Sequence, residues 1–300
     1  MMAGCKQVHP GADLEPASLL GLIESERVTI CAAVPTIWVG MLEELDRKSY
    51  DLSSVRCLVS GGAPLAPSVM EAFEQRHGVS MVQGWGMTET SPVCAHGHLK
   101  SGYKEATPEQ QLAARSKTGF MIPGVEFRVV DDSGDEIAWD GITYGELQVR
   151  GPWVASSYYN DERSNDSFVD GWLKTGDVVT VDKQGYFMIV DRIKDLVKSG
   201  GEWISSVELE KAIMGHPAVK EAAVIGIPHP RWTERPLACV VVRMGAELHQ
   251  DELIEHLRPL VPSWWLPDDV VFIDEVPKTS VGKFDKLALR ARFVKRSLTR

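Results

Sequence analysis

Short apolar runs alternate with segments of helical period between residues 13 and 83. In the first such segment, leucines and an isoleucine recur at helical spacing with acidic residues opposite. The sequence predicts helices over 13–27, 35–45 and 67–76, and strands over 28–34, 55–60 and 79–83. This α-β-α-β-α-β order predicts a parallel sheet covered by helices. Ligands of such sheets bind at the carboxyl ends of the strands.

Two glycine-containing loops are predicted to leave that edge of the sheet. The first reads SGGAP, and the backbone of Gly61, Gly62 and Ala63 can lie flat against a planar base because it carries little side chain. A side-chain-poor loop is also compatible with a plain turn, so this segment alone does not identify a ligand.

The second loop reads GWGMTET and supplies an aromatic ring, a hydroxyl and a carboxylate in sequence. Trp85, between Gly84 and Gly86, can stack on adenine, and Thr88 can donate to a phosphate oxygen. Glu89 can hold Mg²⁺, a cation that prefers oxygen ligands. On these residues alone, a plain turn remains the alternative.

From residue 124 the hydrophobic period changes to two, which predicts a small β-rich subdomain. The chain then enters the segment 170–206. Its opening WLKTGD predicts a tight turn in which Gly176 bends the backbone and pushes the Asp177 carboxylate out of a strand edge. Such a carboxylate can accept two vicinal hydroxyls.

A hairpin is predicted next, from strands over 178–181 and 186–190 joined by the turn DKQG. It leads to a polar cluster and a flexible glycine pair, which together contain Arg192, Lys194, Lys198, Gly200 and Gly201. A carboxylate at one end and a basic cluster at the other suit a ribose-phosphate. An ordinary surface hairpin with solvated charges is the alternative.

The remaining residues predict a separate α+β unit. The pattern SSVE at 205–208 is a capping box that opens a helix, and strands over 219–227 and 237–242 flank an exposed loop at 229–234. Near the end, Lys283 lies in the run PKTSVGK. Taken alone, a lysine in such a loop is a solvated surface residue.

Length and composition exclude several classes of protein. At 300 residues the chain is long enough for about two domains. The formal charge of −10 argues against nucleic acid or an anionic membrane surface as the main partner. Five dispersed cysteines predict reduced thiols and a cytoplasmic location. The sequence contains no apolar run of the roughly 18 residues that a membrane span needs.

Several motifs together resemble one family. The runs WLKTGDV and DRIKDLVKSGGEWIS, with GGAP, GWGMTET, GELQVRGP and PKTSVGK, occur in the same order as in the AMP-forming acyl-CoA synthetases. These enzymes belong to the adenylate-forming superfamily, and the motifs look most like its fatty-acid CoA ligase branch. The resemblance implies an α/β chain with three parts: an AMP-binding α/β domain over 1–123, a β-rich subdomain over 124–191 and a smaller α+β C-terminal lid domain over 192–300.

The resemblance also implies cofactors and residue roles. ATP, Mg²⁺ and coenzyme A are the expected cofactors, and a carboxylic acid is the expected substrate. Lys283 would be the catalytic lysine of a mobile lid, with Thr88 on phosphate and Glu89 on the metal. The residues implied to bind nucleotide or coenzyme A are Gly61, Gly62, Ala63, Gly84, Trp85, Gly86, Asp177, Arg192, Lys194, Lys198, Gly200 and Gly201. Among these, Asp177 and Arg192 would hold the ribose, and Lys194 matches the hinge position.

One motif of the family has no counterpart in this sequence, the Ser/Thr/Gly-rich phosphate loop that ends in Pro-Lys-Gly. We therefore expect an incomplete α/β sheet and a truncated product that matches only the C-terminal part of a family member. Two further hypotheses stay open: a ligase for a short or sulfur-containing acid, and an inactive remnant that binds only nucleotide or a partner. A peptide-synthetase adenylation domain is disfavoured, because no carrier domain follows Lys283.

Overall fold

A computed structural model describes residues 4–63, 65–162, 164–200, 202–279 and 284–293. The contacts of its backbone divide the chain into two compact units, Met1–Thr175 with Val179–Ile189, and Gly176–Val178 with Val190–Arg300. The division of the first 191 residues into an α/β domain and a β-rich subdomain stays a prediction.

The helices are α1 Pro16–Glu26, α2 Pro35–Leu45, α3 Pro67–His77, α4 Pro108–Arg115, α5 Ser164–Ser167, α6 Ser206–Met214, α7 Gln250–Leu257 and α8 Lys286–Phe293. The strands are β1 Ile30–Ala33, β2 Cys57–Ser60, β3 Met81–Gly86, β4 Val93–His96, β5 Phe120–Met121, β6 Glu126–Val130, β7 Tyr144–Arg150, β8 Phe168–Val169, β9 Trp172–Val181, β10 Phe187–Arg192, β11 Val197–Ser199, β12 Glu202–Ile204, β13 Val219–His229, β14 Thr233–Val242 and β15 Asp269–Phe272.

The predicted α/β alternation is confirmed in the first unit, where β1, β2 and β3 pair in parallel. Helices α1, α2 and α3 each begin with proline, which tolerates the first helical turn because no intrahelical donor is lost there. Helix α3 ends at Gly78, whose φ of 67° supports the predicted left-handed cap. The core of this layer includes Leu20, Trp38 and Phe73, and the two aromatic rings meet edge to face.

The sheet is not purely parallel, however, because β4 and β5 extend it antiparallel in the order β1-β2-β3-β4-β5. Gly84, Trp85 and Gly86 belong to β3, so their prediction as a loop was wrong. Glycine is required there for packing: a Cβ at Gly86 would lie 1.8 Å from the carbonyl oxygen of Pro92 on the neighbouring chain segment. The predicted strand ended too early, at residue 83, because these glycines were interpreted as turn signals.

A second sheet has the order β10-β9-β7-β6, with β8 on β9. The predicted turn DKQG is confirmed, since Gly185 N donates to Asp182 O at 2.8 Å. By contrast, the tight turn predicted for WLKTGD was wrong, because these residues lie inside the ten-residue strand β9. Gly176 does have a left-handed φ of 70°, but it makes a local irregularity in a continuous strand.

In the second unit, β12-β11-β14-β13 form an antiparallel sheet, and β15 pairs in parallel with β14. Ser205 caps α6 by accepting from Glu208 N at 3.1 Å, which confirms the predicted start of this helix. The exposed loop predicted at 229–234 is shorter than expected and covers only residues 230–232. Strand β13 runs through His229 and β14 begins at Thr233, because the hairpin register continues to its tip.

Within the described ranges, no helix combines the length and apolar character that crossing a bilayer requires. All five cysteines are free thiols.

Candidate active site

The backbones of the two glycine segments lie side by side in the first unit. Ser60 at the end of β2 is in register with Gln83 of β3, so Gly61 follows β2 directly beside Gly84. A Cβ built at Gly61 would be 3.3 Å from the carbonyl oxygen of Gly84, and Gly61 N donates to Ala33 O at 3.1 Å. A strip of backbone with little side chain therefore follows the carboxyl ends of these strands.

Gly62 and Ala63 continue this strip and are exposed. Trp85 is placed differently: it is only 6% exposed, and its ring meets that of Phe187 edge to face at a centroid distance of 5.8 Å. The indole thus contributes to the core of the unit. Its stacking on adenine stays a prediction.

Thr88 and Glu89 lie in the short 3₁₀ turn Thr88–Thr90, immediately after β3. Thr90 fixes this turn, because Met87 N donates to its hydroxyl at 2.9 Å and the hydroxyl donates to Pro92 O at 2.7 Å. Thr88 is exposed and Glu89 is half-buried. A rigid turn thus presents a hydroxyl and a carboxylate next to the glycine strip.

Tyr158 is a residue of this site that the sequence did not reveal. Its hydroxyl donates to Glu89 Oε1 at 2.7 Å, and Ala155 N donates to the backbone carbonyl of Glu89 at 2.7 Å. The segment that carries both residues, GPWVASSYY, contributed no candidate site residue to the sequence analysis. Nothing in its local pattern indicates which of two adjacent tyrosines turns toward a carboxylate 69 residues away.

The oxygen ligands at this turn suit Mg²⁺, which commonly binds one or two carboxylates and completes its shell with water and phosphate oxygens. Glu89 would supply the carboxylate, and the bond from Tyr158 would fix its orientation. Among the described residues, no group of three or more His, Cys, Asp or Glu side chains forms a protein-only metal site. The donor set therefore fits a metal that arrives with a nucleotide.

In the second unit, Asp177 is paired with Arg192. The Arg192 Nε lies 2.8 Å from Asp177 Oδ1, and the Asp177 residue is only 2% exposed. The prediction that this carboxylate projects from a strand edge was therefore wrong: the backbone irregularity at Gly176 accompanies a buried, charge-paired carboxylate. Ile193 N donates to Gly176 O at 2.9 Å and holds the two segments together.

The basic cluster and the glycine turn follow along the same unit. Lys194 is exposed in the turn between β10 and β11, and Lys198 Nζ lies 5.5 Å from the centre of the Trp203 ring. Gly200 has a φ of 63° and donates its N–H to Trp232 O at 2.8 Å. A Cβ there would be 2.7 Å from the Trp232 ring, so this position requires glycine.

Two predicted site residues, Gly201 and Lys283, lie outside the described residues. The other predicted residues form two groups. The first unit brings together Gly61, Gly62, Ala63, Gly84, Gly86, Thr88 and Glu89, and the second unit contains Asp177, Arg192, Lys194, Lys198 and Gly200. A cavity of about 600 Å³ is lined by residues between Cys5 and Met41, so it does not coincide with either group.

Two family models match the chain. The model of the AMP-binding enzymes matches residues 1–159, and the model of the AMP-binding enzyme C-terminal domain matches residues 208–283. The chain belongs to the AMP-binding enzyme family. The two matches account for both the glycine strip of the first unit and most of the second unit.

Relatives within the family include acid–CoA ligases. The chain is 48% identical to a long-chain-fatty-acid–CoA ligase of Thermus thermophilus, over 97% of this chain and 54% of that protein. It is 42% identical to a 3-methylmercaptopropionyl-CoA ligase of Ruegeria lacuscaerulensis, again over 97% of this chain and 54% of the relative.

Solved structures of the family have the same α/β fold. ATP-bound MatB from Rhodopseudomonas palustris matches with a TM-score of 0.80 and 29% identity, over 94% of this chain and 54% of that one. The chain thus spans about half the length of the relatives it matches.

Proposed function

We propose that this chain takes part in the ATP-dependent ligation of a carboxylic acid, preferably a medium- or long-chain fatty acid, to coenzyme A. The observation that carries the proposal is the likeness to a long-chain-fatty-acid–CoA ligase along nearly the whole chain. In the first half-reaction the carboxylate attacks the α-phosphorus of ATP, which gives an acyl adenylate and releases pyrophosphate. In the second, the thiol of coenzyme A attacks the acyl carbon and AMP leaves.

The first unit would hold the nucleotide base and the phosphates. The strip formed by Gly61 and Gly84 allows a planar base to approach the backbone closely, because no Cβ intervenes. The Thr88 hydroxyl would donate to a phosphate oxygen. Glu89 would hold Mg²⁺, which when bound neutralises charge on the phosphate oxygens.

The second unit would hold the ribose and supply the catalytic ammonium. Asp177, kept in place by Arg192, would accept the ribose hydroxyls. Lys283 would stabilise the negative charge that develops on the transferring phosphoryl group, as a positioned cation does most effectively. Lys194 is the proposed hinge, Lys198 would bind the nucleotide or coenzyme A, and Gly200 and Gly201 would line the path of the pantetheine arm.

Two classes of acid are candidates for the substrate. The fatty-acid assignment rests on the relative with the highest identity quoted above, whereas the 3-methylmercaptopropionyl-CoA ligase supports a short, sulfur-containing acid as the rival. We also propose a cytoplasmic location, which the dispersed cysteines predict.

A second candidate function is binding of nucleotide or a partner without turnover. One observation favours it: β1 is an edge strand of its sheet, and its Ile30 is 56% exposed. An apolar edge of this kind is suited to pairing with further polypeptide.

To test the proposal, the purified chain is incubated with ATP, Mg²⁺, coenzyme A and either 3-methylmercaptopropionate or fatty acids of graded length. AMP that rises with one acid supports ligation and identifies the acid. A folded protein that binds ATP yet forms no AMP with any acid contradicts ligation and supports the second candidate.

The role of Lys283 is tested with Lys283→Ala, and Lys278→Ala in the same run is the matched control. Removing a charge that acts on the transition state is expected to slow adenylate formation by about 10²–10³-fold. Thioester formation from a supplied acyl adenylate should change far less. Equal losses in both half-reactions would refute the assigned role.

A further inference from the structure

The side chain of Arg235, on β14 of the second unit, forms bonds with all three nitrogens of its guanidinium group. Its Nε and NH2 lie 2.8 and 2.7 Å from Asp268 Oδ1, and NH2 also donates to Leu266 O at 3.0 Å. NH1 donates to Trp264 O at 2.8 Å and to the Ser199 hydroxyl at 2.9 Å. The side chain is only 12% exposed. A rigid, planar group is needed to reach these four partners at once, and lysine has no such group.

Ser199 connects this guanidinium group to the glycine turn. It is the last residue of β11, is 6% exposed and immediately precedes Gly200. Among the described residues, β11 pairs with β14 at one position, where Ser199 lies opposite Thr233. The Gly200 N–H donates to Trp232 O next to that pair, at 2.8 Å. The backbone alone therefore attaches the turn to β14 at few points.

Two adjacent side chains of β14 strengthen this attachment. Glu234 Oε2 accepts from Lys198 N at 3.0 Å, and Arg235 donates to the Ser199 hydroxyl. Of these two bonds, the one from Arg235 is made to the residue directly before Gly200. Because Arg235 is itself bonded to the segment 264–268, it fixes Ser199 relative to two neighbouring parts of the chain.

We propose that Arg235 is a positioning residue, which holds Ser199 and thereby keeps the backbone of Gly200 in the conformation that the pantetheine arm of coenzyme A requires. The pantetheine role rests on the function proposed above, whereas the ordering of Gly200 can be measured without turnover. All these contacts join residues that follow Lys194 in the chain, so they do not cross the proposed hinge. Neither Arg235 nor Ser199 is assigned contact with substrate.

The first test replaces Arg235 with lysine, which keeps the positive charge beside Asp268 but loses the bond from NH1 to Ser199. Hydrogen exchange of the Gly200 amide should rise about tenfold, because a hydrogen bond from a charged group no longer opposes local opening. Arg258→Lys is the matched control, since this arginine pairs with Glu255 on the surface of the same unit and is 56% exposed. The control should leave Gly200 unchanged. Unchanged exchange in Arg235→Lys would overturn the proposal.

The second test removes the acceptor of the same bond. Ser199→Ala leaves Arg235 bonded to Asp268 and to two carbonyl oxygens, so no charge is left without a partner and the unit should remain folded. Exchange of the Gly200 amide should rise by a similar factor. The double variant of Arg235→Lys and Ser199→Ala should be no worse than either single variant, because both changes remove one bond. Additive effects would mean that Arg235 does not act through Ser199, and would refute the positioning role.

The kinetic test separates the positioning role from the proposed function. If the chain forms a thioester, Arg235→Lys should raise KM for coenzyme A about tenfold, with kcat and KM for ATP nearly unchanged, because coenzyme A must then order the turn as it binds. A lower kcat with an unchanged KM for coenzyme A would contradict this role. If no thioester forms while both exchange tests succeed, the proposed function fails and the ordering of Gly200 by Arg235 stands. If a thioester forms but neither variant changes the exchange of Gly200, the proposed function stands and the positioning role fails.

Discussion

Replacing Lys286 with methionine tests whether this lysine stabilises the two buried carboxylates of the second unit, Asp191 and Glu210. The methionine stem fills a similar volume but removes the cation that lies 2.7 Å from Glu210 and 2.6 Å from the Ser206 hydroxyl. Both partners of the Lys286–Glu210 pair are at most 10% exposed. Removing one member of a buried pair leaves an uncompensated charge, so we expect the free energy of unfolding to fall by about 3–5 kcal/mol at neutral pH.

The loss in the free energy of unfolding should also depend on pH. Burial raises the pKa of Asp191 and of Glu210 above their ordinary values, and Lys286 opposes the rise in both. For a carboxyl whose folded pKa is raised, the stability contribution is complete below the unfolded pKa and is lost as pH rises through the folded pKa. Without Lys286 both pKa values should rise further. The deficit of the variant should therefore shrink as the pH is lowered from about 8 to about 5.

Urea unfolding is measured at several pH values, with hydrogen exchange of β13 peptides as the probe, so that only the second unit is followed. Lys278→Met is the matched control, because Lys278 pairs with Glu221 at 2.7 Å but is 45% exposed. An exposed pair contributes about 0–1 kcal/mol, and its loss should show little recovery at low pH. A deficit for Lys286→Met no larger than that of the control, or one that is independent of pH, would refute the reasoning.

Two further substitutions have controls in the same unit. Gly200→Ala should destabilise the second unit by about 1–3 kcal/mol more than Gly245→Ala in urea unfolding, because both sites have positive φ but only Gly200 faces the Trp232 ring at 2.7 Å. Equal losses would mean that the ring contact is unimportant. Tyr158→Phe should weaken Mn²⁺ binding in the presence of ATP by about tenfold in electron paramagnetic resonance titrations, because a metal ligand loses its orienting bond. Tyr159→Phe, at a side chain that is 99% exposed, should have no effect; equal effects of the two changes would exclude orientation of the carboxylate.

The sequence predicted the fold where local signals and tertiary structure agree. Helices α1, α2 and α3 begin at or near prolines, and Gly78 ends the last of them in the predicted conformation. The short apolar runs between them become the parallel strands β1, β2 and β3. These elements are specified by periodicity and by turn chemistry within a window of about a dozen residues, so one sequence suffices to find them.

The prediction of strands and turns failed at glycines whose role is set by packing against residues that are distant in the sequence. Gly86 is the last residue of β3 and has to be glycine, because any Cβ there would collide with the Pro92 carbonyl oxygen. Gly176 makes an irregularity in β9 without ending it. A glycine that permits close approach and a glycine that makes a turn look the same in the sequence. The same limit applies to Asp177, whose burial depends on a partner 15 residues further on, and to the bond between Tyr158 and Glu89.

The buried polar network of Asp191, Ser206, Glu210 and Lys286 is also invisible to local sequence patterns. Its composition indicates what it contributes to the fold. Two carboxylates share one lysine, and burial raises the pKa of both, so the cluster is a poor source of stability. Apolar residues of similar volume would hold α6 and α8 together at least as well. They would not fix a single alignment, because apolar surfaces tolerate sliding whereas the bonds from Lys286 and Ser206 each have one satisfied geometry.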